Sequence, residues 1–122
     1  MTFHGNRTDE AGMENSSLTA LTFQHLELAR EASSGRSAHT VYGGQEHVLR
    51  QTLIALASGE ALEEHDSPGE ATVQVLSGRV RLIAGEQLWE GAVGDLLVIP
   101  DERHALEAME DSSVLLTVAL RR

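Results

Sequence analysis

GEALEEHDSPGEATVQVLSG, residues Gly59 to Gly78, is answered by GDLLVIPDERH, residues Gly94 to His104. In the first stretch a strand end reaches His65, and a Ser67-Pro68-Gly69 turn follows. An alternating apolar run then closes at Gly78. In the second, Asp95 sits in a turn, Leu96 to Ile99 form an apolar strand, Pro100 breaks it and His104 follows. Short apolar runs bounded by Gly, Pro, Asp and Ser mark an antiparallel all-β domain.

The flanking sequence extends the same pattern. From Ala38 the period is strand-like: His39 to Tyr42, a Gly43-Gly44 turn, then His47 to Ala57 with apolar residues on both faces. A strand apolar on both sides belongs where each face is covered. Arg79 to Ala84 and Gln87 to Glu90 read as a hairpin across Gly85-Glu86. A short strand over His104 to Ala108 and a last one over Val114 to Leu120 complete the set. Upstream, Leu18, Leu21, Leu28, Ala29 and Ala32 recur at helical spacing, with Phe23 and Leu26 widening the apolar face. Ser16 or Ser17 is the expected N-cap and Gly35 the expected C-terminal stop. The expected organisation is therefore an aperiodic, loosely ordered arm over 1–15, an amphipathic helix over 16–35 and a β domain over 36–122.

The two stretches resemble the paired motifs of the cupin superfamily. The first family motif runs G-x5-H-x-H-x3/4-E-x6-G. Gly59, His65 and Gly78 fall on it, whereas Ser67 stands at the second His and Ala71 at the Glu. The second runs G-x5-P-x-G-x2-H-x3-N. Gly94 and Pro100 match, Glu102 replaces the Gly, His104 arrives one residue early and Ala108 lies near the Asn position. The resemblance covers roughly Arg36 to Leu120. It implies a double-stranded β-helix, the jelly-roll cupin barrel, here preceded by one N-terminal α-helix. It also implies one divalent metal ion (nickel, iron, manganese or zinc) in a site whose usual ligand set is reduced here. His65 and His104 are then the retained metal ligands, with Glu70 as an improvised third. Ser67, Ala71, Gln74 and His47 are the residues expected around the ligand cavity. Two imidazoles alone are a poor site, because first-row divalent metals usually take three or four protein ligands.

Composition narrows the function. Nine Lys/Arg against nineteen Asp/Glu give a formal charge of -10. That argues against nucleic acid and against an anionic membrane surface as partners. With no cysteine, disulfide and thiolate chemistry are excluded. No apolar run is long enough to span a bilayer, and the N-terminus shows no basic region followed by an apolar core, so a cytoplasmic location is expected. No phosphate-binding loop or G-x-S-x-G elbow is present. Arg79 and Arg81, two apart in a hairpin, read as one exposed strand face or as contacts for an acidic ligand, and Tyr42 and Trp89 as core or as ligand-stacking aromatics.

The reading that follows is a small-molecule-binding or accessory protein with a reduced or lost metal site. The alternatives are a metal-dependent enzyme of dioxygenase or isomerase type, using His65, His104 and a third ligand, and a structural dimerisation domain. The residues leave open whether a reaction is catalysed. A small-molecule ligand and a homodimer are the expected partners, the latter because the helix and the two-sided strand leave apolar surface to cover.

Overall fold

Ser17 ends the irregular chain and starts the helix. Its backbone is extended, and its Oγ accepts the amide of Ala20 at 3.2 Å. Such a cap is worth about 1 kcal/mol. In the computed structural model, which describes residues 6–8, 14–65 and 69–120, the helix α1 spans Leu18–Glu31. Its buried face is Leu21, Thr22, His25, Leu26 and Ala29. Phe23, expected to widen that face, points away from it and is exposed, since it falls about a third of a turn off the stripe. The helix ends at Ala32, whose amide bonds the Leu28 carbonyl. Gly35 lies three residues beyond that C-cap; its carbonyl instead accepts the amide of Ala57 at 2.8 Å, tying the turn to the sheet. Within the expected arm, β1 (Asn6–Thr8) pairs antiparallel with β2 (Glu14–Ser16). The rest of the arm, 1–5 and 9–13, lies outside the described residues.

The β domain comprises β3 (Arg36–Tyr42), β4 (Leu49–Leu56), β5 (Ala61–His65), β6 (Gly69–Ser77), β7 (Arg79–Ala84), β8 (Gln87–Ala92), β9 (Leu96–Val98), β10 (His104–Ala108) and β11 (Ser112–Leu120). One sheet has the order β5-β10-β7-β8 and the other β3-β4-β11-β6-β9, with every pair antiparallel. From β4 onward almost every connection passes to the opposite sheet; only the β7–β8 hairpin stays within one. That alternation is the jelly-roll winding the motifs imply.

Period-two alternation fixes what each strand contributes. In β6, Ala71, Val73 and Val75 are buried inward, while Glu70 and Gln74 are exposed on the other face. These inward residues meet Val80 and Leu82 of β7, Leu106 of β10 and Val114 of β11 in one core. The two-sided strand is explained by the same rule: Ile54 and Leu56 enter this core, while Ala55 is buried outward against Leu26 and Ala29 of α1. Helix α1 thus covers part of the outer face of the five-stranded sheet, with Thr22 Oγ1 and Ser113 Oγ 2.9 Å apart in the seam. Tyr42 and Trp89, expected in the core, are both exposed at about 37–38%. They lie on β3 and β8, each the edge strand of its sheet, where no further strand shields them.

Candidate functional site

The expected site is built where β5 meets β10. His104 pairs with His65 in Cα register, whereas the next rungs pair Leu106 with Leu62 and Glu107 with Ala61. Between these rungs β5 advances three residues and β10 two, so β5 carries a bulge. Without it, Glu64 would oppose His104; with it, position 65 does.

His104 is 4% exposed and, like Leu106 and Ala108, faces inward. Arriving one residue early in the motif therefore does not turn it out of the barrel. Its Nδ1 donates to the Glu102 carbonyl at 2.9 Å, which fixes the ring and its tautomer. The ring lines a cavity of about 20 Å³ whose other walls are apolar, among them Ile54, Leu62, Val73, Leu82 and Leu116. That volume holds about one water molecule. It is far below the roughly 300 Å³ at which ligand pockets begin. Among the described residues, the interior beside His104 is packed as a core.

The other expected site residues separate. Ala71 is buried inward, a methyl group where the resemblance calls for a carboxylate. Glu70 and Gln74 stand on the outer face of β6, so the expectation that they share a cavity with His104 is corrected by strand alternation. His47 lies in the β3–β4 connection, where its Nδ1 is 3.3 Å from the Tyr42 hydroxyl and the rings are 4.8 Å apart; it does not line the cavity at His104. Ser67 falls outside the described residues. Among the described residues no three His, Cys, Asp or Glu side chains converge as a metal site. The described donors therefore do not fit the ligand set that the motif resemblance implies.

A larger concavity lies on the outer face. It has a volume of about 440 Å³ and is lined by Glu70 and Thr72 of β6, Val98, Ile99 and Asp101 at the end of β9, and Thr117 and Ala119 of β11. Ala71 also reaches its wall, so two of the expected residues, Glu70 and Ala71, meet there. Thr72 and Thr117 oppose one another across β6 and β11, and Thr72 opposes Val98 across β9. This floor was legible in the alternation of β6, which sends Glu70 and Thr72 outward together, but the partner strands were not. Arg79 and Arg81 stay on an exposed strand face and pair with Glu90 at 3.5 Å and Glu107 at 3.9 Å.

No family model matches the chain, and no curated relative does. Solved structures do. The EutQ protein of Clostridium difficile superposes with a TM-score of 0.73 at 11% identity, covering 94% of this chain and 93% of that one. A conserved Streptococcus pyogenes protein of unknown function, SPY1581, gives 0.67 at 29% identity, covering 75% and 79%. An RmlC-like cupin from Desulfovibrio desulfuricans gives 0.60 at 25% identity, covering 69% and 81%. No helix among the described residues is long and apolar enough to cross a membrane.

Proposed function

Because the chain is a cupin by fold, we propose that it acts as a small-molecule-binding or accessory module whose metal site is reduced, and that its ligand sits outside the barrel. The observation that carries this reading is the contrast between the two concavities: about 20 Å³ beside His104 and about 440 Å³ over Thr72 and Thr117. A jelly-roll interior filled by Val, Leu and Ile contributes stability rather than a binding volume. The outer groove combines apolar walls (Val98, Ile99, Ala119) with hydroxyls and the carboxylates of Glu70 and Asp101. That lining favours a small neutral or cationic amphipathic molecule and disfavours an anion.

A panel of small aliphatic amines and matched carboxylates, screened by thermal shift, tests this reading. Amines should raise the melting temperature. Thr72→Arg, which fills the groove, should abolish the shift, while His104→Leu should keep it. A shift lost in His104→Leu and kept in Thr72→Arg would place the ligand inside the barrel instead.

A second reading, a metal-dependent enzyme using His65 and His104, is favoured by one observation, the bulge that brings position 65 into register with His104. A bulge beside a site commonly re-aims a side chain.

A further inference from the structure

Helix α1 is held to the five-stranded sheet across a seam that contains two histidines. His25, on the buried face of the helix, is 7% exposed. Its Nδ1 lies 2.5 Å from Ser37 Oγ on β3, and its ring centroid is 5.4 Å from that of His39 on the same strand, tilted by 49°. His39 Nε2 is buried and makes no hydrogen bond.

Among the described residues, the surroundings offer this pair no counter-charge. From the helix, Leu21, Thr22, Leu26 and Ala29 share the buried face with His25. From β3 comes Ser37, and from β4 come Leu53, in register with His39, and Ala55. From β11 comes Ser113, bonded to Thr22. Of the charged groups on these elements, Arg30 is bound to Asp111 at 2.7 Å, Glu27, Glu31 and Arg36 are exposed, and Arg50 of β4 shares the inward alternation of Ile54 and Leu56, away from the helix. Burial holds His25 below its ordinary value of 6.5, and the proximity of His39 acts in the same direction. A proton on His39 Nε2 would meet no acceptor, and a proton on each ring would set two positive charges side by side in an apolar seam.

We propose that His25 and His39 form a proton-sensitive latch that keeps α1 docked when the seam is uncharged and releases it on acidification. Release uncovers the outer sheet face at Leu53, Ala55 and Ser113, which is buried while the helix is in place. The direction follows from linkage. A docked His25 binds its proton less readily than an undocked one, so docking is complete above 6.5 and weakens as pH falls below it towards the lowered value.

Hydrogen exchange of the full chain, followed by mass spectrometry from pH 7.5 to 5.0 and corrected for intrinsic rates, reads the latch directly. Protection of α1 should fall severalfold relative to β11, because the undocked helix binds the His25 proton more readily. His25→Gln should remove most of that fall. His39→Gln, which leaves His25 in place, should reduce it and serves as the deciding variant if His25→Gln does not fold. Protection of α1 that falls only in step with β11 would overturn the proposal. So would a fold-change of wild-type size in a folded His25→Gln, or, where that variant does not fold, in His39→Gln.

Discussion

His65 and His104 stand rung to rung across β5 and β10, and an extra residue in β5 is what aligns them. The scaffold thus keeps two motif positions adjacent while the third, Ala71, has become part of the hydrophobic core. Among the described side chains, His104 is fixed by the Glu102 carbonyl in a small cavity with apolar walls.

On the proposed reading, His104 serves as a packing residue with a hydrogen bond to the Glu102 carbonyl. His104→Ala should cost about 1–3 kcal/mol through the enlarged cavity and the lost bond. His104→Leu, which suits the apolar walls, should cost less. Urea unfolding gives both values, and the losses should be the same with and without chelator. A loss seen only in metal-replete buffer would identify a ligand instead.

Gly78 closes the first motif for a steric reason. Its φ is +81°, and a Cβ there would overlap the Asp111 carbonyl oxygen and Ser112 Oγ. Gly59 has a similar φ of +86° but open space around the same point. Gly78→Ala should therefore cost about 3 kcal/mol or more, and Gly59→Ala only about 1 kcal/mol of backbone strain. Equal losses in denaturant titration would remove the steric distinction.

Asp111 joins the helix to the sandwich. One carboxylate oxygen accepts from Arg30 Nε at 2.7 Å and the other from the Ser58 amide at 2.8 Å. The Arg30 hydrogen bond first, then the Ser58 amide, hold the Asp111 carboxyl below its ordinary 3.8. A lowered carboxyl stabilises the fold above the unfolded value, and the contribution is lost as pH falls below 3.8 through the folded one. Both partners are partly exposed, so the ion pair is worth about 0.2–1 kcal/mol. Asp111→Asn should lose that much at pH 7, and the deficit should shrink as pH falls below 3.8 through the lowered folded value. A deficit independent of pH would show that the charge is not what matters.

Much of the fold was legible because turn residues and period-two runs are local signals. Gly78, Gly85 and Gly94 separated the strands correctly, and Val73 and Val75 declared the buried face of β6. The site was less legible, because a spacing motif counts residues and does not say which way a side chain faces. Motif spacing alone made His104 look displaced, yet it faces inward. Glu70 looked like a substitute ligand, yet one step along an extended strand reverses its side. The His25–His39 seam joins a helix to a strand and leaves no mark in spacing at all.

The strand β3 is an edge strand, and Ala38 and Thr40, in register with Ile54 and Thr52, remain exposed on its core-side face. An uncovered face on an edge strand favours pairing with a second copy. Sedimentation equilibrium at tens of micromolar, a concentration suited to a weak dimer, should give a dimer. Thr40→Lys should shift it towards monomer. A wild-type monomer at that concentration would count against a homodimer.

The central claim, that a cupin scaffold persists here with its metal ligands replaced, is tested most directly by calorimetric titration with nickel or zinc. The wild type should bind weakly, since the described donors lack a third ligand. The double variant Ser67→His, Ala71→Glu should gain at least about tenfold in affinity by completing three histidines and one carboxylate. Adding His104→Ala to it should remove that gain. Tight binding by the wild type, or no gain in a folded double variant, would contradict the account.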